Sequence, residues 1–153
     1  MWKSFKDKAF IAWQLSFSEW LLLAEAWWML LAFSLVLRWV SYERLNTSTP
    51  PTTLEISDSS GCLAFAQRLQ WLVGLASRLH LVSMTCMVRA LTLRWMLIRR
   101  GIPVRLCIGV NKSKSLVGIH AHAWVEVMGQ AIGESEDIDE RFKVLKPPQC
   151  LLP

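Results

Sequence analysis

The sequence predicts an α+β fold, with apolar helices first and a small antiparallel sheet after them. Three observations predict it. Residues 5–45 run without Gly or Pro and are rich in apolar side chains. Between Leu63 and Leu79 the apolar residues recur at helical spacing. From Val104 to Val110 the pattern changes to the two-residue alternation of a strand.

The first element, over residues 5–45, reads as one helix or a helix broken in two. Leu15, Leu22, Trp28 and Leu35 are among its apolar residues. Its charge-free run, Ala26 to Leu37, is twelve residues, short of the roughly 18 that a membrane span needs. Glu19 and Glu25 lie upstream and Arg38 closes the run, so the expectation is a buried or interface helix. Residues 46–53, with two prolines and five hydroxyl side chains, break it. Residues 58–61, Asp-Ser-Ser-Gly, read as the cap of a second helix from about Leu63 to Leu79. Phe65, Leu69, Leu72, Val73 and Ala76 form its apolar stripe.

A third helix is expected from Cys86 to Arg100. Ser83 and Thr85 are candidate N-caps, Arg99 and Arg100 suit the negative end, and Gly101 then Pro103 stop it. Val104, Leu106, Ile108 and Val110 mark the first strand. The polar turn Asn111–Ser115 leads to a second strand near Ala121–Met128. Gly129-Gln130 signals a hairpin, and Ala131–Glu134 is the candidate third strand. The tail from Lys146 reads as irregular. These boundaries divide the chain into an apolar helical region over 1–49 and a core over 50–153, forming one compact unit.

Composition limits the function classes. The 153-residue chain is 53% hydrophobic, holds nine Trp and is only 19% charged. Disorder is excluded by so much apolar surface, and the excess of Trp and Leu predicts an apolar face for a partner or a lipid surface. Net charge is +5, concentrated in Arg89, Arg94, Arg99, Arg100, Arg105, Lys112 and Lys114. That stretch reads either as a solvated face or as an attraction for an acidic peptide. No zinc-finger, helix-turn-helix or RNA-binding signature accompanies it, which argues against nucleic acid. Cys62, Cys86, Cys107 and Cys150 form no C-x-x-C pair. Residues 1–25 lack the pattern of a signal peptide. The expected setting is a reducing cytoplasm, with peripheral membrane contact left open, where a lone Cys with a distant His is a candidate nucleophile.

Cys86 is the cysteine expected at a helix N-terminus. Unpaired N–H groups and the macrodipole there favour negative charge, and the thiolate is the reactive form. The competing reading is a small buried hydrophobe. His120 and His122, two apart in a strand, share a face, and either could pair with the thiol. His80, at a helix end, reads as surface or cap. Cys86, His120 and His122 could also supply three zinc ligands, but no fourth is well placed. The acceptor that a base histidine needs has candidates in Glu134, Glu136, Asp137 and Asp139. Glu134 ends the strand expected to pair with that of His122.

Three stretches then carry a resemblance: Thr85-Cys86-Met87-Val88-Arg89-Ala90, Leu97 to Pro103, and His122-Ala123-Trp124-Val125-Glu126-Val127. Together, in this order, they resemble the lasso-peptide leader peptidases, which belong to the transglutaminase-like, papain-like cysteine proteases. The resemblance implies Cys86 as nucleophile and His122 as base. It implies an acid twelve residues after the His, where this chain has Glu134 in place of the usual Asp, with Asp137 as the reserve. It implies removal of the leader from a ribosomally made precursor, with no metal or organic cofactor. An asparagine-synthetase-like cyclase would then close the ring, and a separate leader-recognition protein would present the precursor. Two other readings stand beside it: acyl transfer to an amine by the same residues, and a non-catalytic scaffold supported by Trp2, Trp13, Trp20, Trp27, Trp28 and Trp39.

Overall fold

A computed structural model describes residues 15–39, 59–80, 83–111, 121–134 and 138–145. The expectations for His120, Glu136, Asp137, Cys150 and the loop at 46–53 lie outside the described residues. Among the described residues, helices α1 (Phe17–Trp39), α2 (Ser59–Leu79) and α3 (Cys86–Ile98) precede strands β1 (Arg105–Asn111), β2 (Ala121–Val127) and β3 (Gln130–Ala131). A single turn, α4 (Ile138–Arg141), leads into β4 (Phe142–Val144). The sheet is antiparallel throughout, in the order β3-β2-β1-β4. The fold is α+β.

A capping box starts α1. The Ser16 N–H donates to Glu19 Oε2 at 2.9 Å and the Glu19 N–H returns to Ser16 Oγ at 3.4 Å. Leu23, Ala26 and Leu30 form its buried stripe, packed against α2 and α3. Glu19 also receives Arg68 of α2 at 2.6 Å, and Glu25 receives Arg100 at 2.6 Å. Both carboxylates upstream of the charge-free run thus face cations, Arg68 on α2 and Arg100 just past the end of α3. The 23 residues of α1 are long and apolar enough to cross a bilayer by length and composition. Its outer face leaves Trp28 65% and Trp39 89% exposed, so the helix is buried on one face only, as an interface helix is.

The Ser16 backbone bond, and then Arg68, hold the Glu19 carboxyl below its ordinary value of 4.5. A lowered carboxyl stabilises the fold above that ordinary value, and the contribution is lost as pH falls through the folded-state value. Glu19→Gln is therefore expected to flatten the dependence of Tm on pH below 4.5, as thermal melts across an acid series would show. An unchanged acid limb would mean that the contact contributes nothing.

The main core joins Ala66, Leu69, Leu72, Val73 and Ala76 of α2 to Val88, Leu93, Met96 and Leu97 of α3. Ala123, Val125 and Val127 close it from β2. Strand alternation puts Cys107, His122 and Trp124 on the opposite face, where Cys107, Trp124 and Ile138 form a smaller core with Phe142 and Val144. Gly109 lies directly across from His122 in the ladder and beside Val144. A Cβ there would meet Phe142 Cβ at 2.8 Å and Trp124 Cη2 at 2.9 Å. Gly109→Ala is thus expected to cost about 1–3 kcal/mol by overpacking, measurable by chemical denaturation.

The β2–β3 turn is Met128-Gly129, with φ of 54° and 80°. Both central residues are left-handed, as a two-residue hairpin turn requires, so the turn sits one residue earlier than Gly129-Gln130. The third strand is only Gln130–Ala131, because Gly133 takes φ 74° and turns the chain out of the ladder. The second helix starts at Ser59, so the expected cap residues Ser59, Ser60 and Gly61 lie within its first turn.

Candidate active site

Thr85 begins α3. Its backbone is extended and its Oγ1 accepts from the Val88 N–H at 3.3 Å, which fixes Cys86 as the first helical residue. The N–H groups of Cys86 and Met87 belong to the first-turn set that has no intrahelical acceptor. Cys86 is half-buried and its thiol is free. Arg89, Ala90 and Leu93, three, four and seven residues on, share its helix face.

Those residues form one wall of a small open cleft of about 20 Å³, room for roughly one water-sized group. Gln70 of α2, Trp124 of β2, Ile132 and Glu134 complete the lining around Cys86 and Arg89. The Ile132 N–H bonds the Val125 carbonyl at 2.9 Å, which holds the chain beside β2 before Gly133 turns it. A Cβ on Gly133 would stand 2.5 Å from Gln70 Cγ. Glycine is required there both by its positive φ and by the approach of α2, and Glu134 follows immediately.

Glu134 Oε1 accepts from His122 Nε2 at 2.9 Å, both side chains being about three-quarters covered. Phe142 lies 5.4 Å and Trp124 6.0 Å from the His122 ring, between centroids. The Trp124 indole N–H donates to Glu126 at 3.3 Å. The imidazole is therefore held on one nitrogen and flanked on its faces. Neutral imidazole donating through Nε2 keeps Nδ1 as its acceptor.

Cys86 and Glu134 thus line one cleft, and His122 is bonded to Glu134. His122 itself does not line that cleft, and no hydrogen bond joins its ring to the Cys86 thiol. His80 is no surface group: its ring stacks on Trp27 at 4.4 Å and its Nε2 donates to the Trp27 carbonyl at 2.9 Å. Sequence reasoning had Arg89 only as part of the basic stretch and did not place it in the site, although it stands three residues from Cys86 on the same face. Gln70 escaped altogether, since only the packing of α2 brings it there.

No curated protein and no solved structure matches the chain. A family model of the transglutaminase-like superfamily matches residues 27–146, well over half of the sequence. Its members include cysteine proteases and acyltransferases and are typically cysteine-dependent enzymes. The match begins inside α1 and runs past β4, taking in the rest of α1, α2, α3, the sheet and the cleft; this chain belongs to the transglutaminase-like superfamily.

Proposed function

We propose that the chain is a cysteine peptidase in which Cys86 attacks, His122 carries the proton and Glu134 orients His122. The observation that carries this reading is the His122–Glu134 bond at 2.9 Å, with Glu134 lining the same cleft as Cys86. A nucleophile, a base and an acceptor that fixes the base form the usual arrangement for covalent catalysis.

In the proposed reaction, Nδ1 of His122 takes the Cys86 proton as Sγ bonds to the substrate carbonyl carbon. The oxyanion is held by the N–H groups of Cys86 and Met87 at the start of α3. His122 returns the proton to the departing amine, the C–N bond breaks, and a thioester remains. Water, deprotonated by His122, then releases the acid and restores the thiol. Catalytic hydrogen bonds are often long in the free enzyme and tighten on substrate binding. In this proposal the Cys86 thiol and His122 Nδ1 meet only once substrate is bound.

The proposed substrate is the precursor of a lasso peptide, cut between leader and core, on the strength of the Cys86, Arg-Gly-Ile-Pro and His-Ala-Trp-Val-Glu stretches in their order. A separate leader-recognition protein would deliver it, and an asparagine-synthetase-like cyclase would use the freed amine. The exposed apolar face of α1 is the docking surface this scheme offers. Acyl transfer to an amine would proceed through the same thioester, and the superfamily includes acyltransferases.

The test is mass spectrometry of a precursor incubated with the chain, with and without the leader-binding protein. Free leader and core, with a gain of one water between them, is the expected result. A leader joined to an added amine would instead favour transfer. An intact precursor under every condition would remove the peptidase reading.

A further inference from the structure

Three basic residues between the end of α3 and the start of β1 are engaged elsewhere. Arg99 lies over the Trp95 ring at 5.2 Å. Arg100 donates to the Met96 carbonyl and to Glu25. Arg105 stands 3.8 Å from Glu126. Arg89 differs from them. It lines the cleft with Cys86, and its Nε is buried without a hydrogen-bond partner among the described residues. Glu134 lines the same cleft but is committed to His122, and no ion pair joins it to Arg89.

This arrangement is unfavourable in two ways. A buried N–H of a charged group that has left water and found no acceptor carries its full desolvation cost. A cation in the first turn of a helix also faces the positive end of the macrodipole. An anion in the cleft relieves both. The guanidinium fork matches a carboxylate in shape as well as charge.

We infer that Arg89 anchors an anion subsite at the open mouth of the cleft beside Cys86, which takes a carboxylate of the peptide substrate, supplied by an acidic side chain next to the carbonyl under attack. This rests on Cys86 being the reacting group. It adds a preference that the peptidase chemistry alone does not require.

Two reagents of nearly equal shape test it on the full chain. Iodoacetate and iodoacetamide each lose iodide to a cysteine thiolate and leave a thioether, but only iodoacetate carries a carboxylate. Alkylation rates are read at Cys86 and Cys62 by peptide mass spectrometry. At Cys86 the iodoacetate-to-iodoacetamide rate ratio is expected to exceed that at Cys62 by about tenfold, as one charge-assisted hydrogen bond allows. Arg89→Gln should bring the two ratios together. Arg89→Lys, which keeps the charge without the fork, should give an intermediate ratio. A second measurement needs no variant: N-acetylglutamate should slow the reaction of iodoacetamide with wild-type Cys86, and N-acetylglutamine should not.

Equal ratios at the two cysteines in the wild type, or an excess that survives in folded Arg89→Gln, would overturn the subsite. The same holds if neither additive protects Cys86, which is the result expected if a carboxylate of the chain itself fills the place. The outcomes also separate the two readings. A chain that cuts no peptide but keeps the Arg89-dependent ratio loses only its peptidase role. A chain that cuts acidic and neutral peptides alike, with equal alkylation ratios, loses only the subsite.

Discussion

Cys86→Ala is expected to lower turnover by at least about 10⁴-fold, the scale on which removing a covalent nucleophile acts. The change is small in volume and sits at the first position of α3, where Thr85 rather than Cys86 provides the cap. Folding should therefore be almost unaffected, and circular dichroism with a melting curve would confirm it. The wild type should also accumulate a thioester with a slow substrate, seen as an added acyl mass, and the variant should not. Cys62→Ala is the matched control and should retain activity, since Cys62 lies in the first turns of α2. If Cys86→Ala cut at the wild-type rate, the nucleophile assignment would be wrong, and a non-catalytic role would move to the front.

The second large effect is at Glu134. Removing its carboxylate leaves His122 Nε2 without its acceptor and lets the ring take either tautomer. Glu134→Ala is expected to reduce kcat by about 10²–10⁴-fold, by analogy with other orienting acids. Glu134→Gln should fall less, because its amide oxygen can still accept from Nε2 while the charge that supports the imidazolium is gone. Glu134→Asp should fall between Gln and wild type if reach is the smaller factor. KM should move little in all three, since the proposed role acts on the transition state. Asp137→Ala decides the alternative: activity near wild type keeps Glu134 in the role, whereas a loss as large as that of Glu134→Ala transfers it.

The helices were legible because each buries a face whose period matches its backbone. The Leu69, Leu72, Val73 and Ala76 stripe of α2 is buried, and Thr85 is the cap that its hydroxyl and position suggested. β1 was legible from its apolar alternation, and the strand expected near Ala121–Met128 is β2 at Ala121–Val127. What escaped was set by tertiary contact. β4 has only three residues, too few to show a period, and forms because Phe142 fits over Gly109. The hairpin was placed a residue late because methionine seldom takes positive φ, and nothing local marks Met128 as doing so. In the site, the positions of Cys86 at a helix start and His122 on a strand could be read from the chain. The cleft could not, because Gln70 and Ile132 reach it only through the packing of α2 and the turn at Gly133. The pairings that hold α1 in place were not legible, since Arg68 and Arg100 lie far along the sequence from the carboxylates they neutralise.

That last pairing has a consequence for the order of synthesis. The partners of Glu19 and Glu25 are made after α1 is complete, and Arg100 follows Trp39 by 61 residues. At roughly 5–20 residues per second, α1 exists for about 3–12 s before Arg100 has been added. Over that interval Glu25 has no partner, and Glu19 has none until Arg68 is added 29 residues after Trp39. Those acids oppose early entry of the nascent segment into a bilayer, where an unpaired carboxylate is costly. The same carboxylates that later fasten α1 to its neighbours therefore first raise the cost of burying it in lipid.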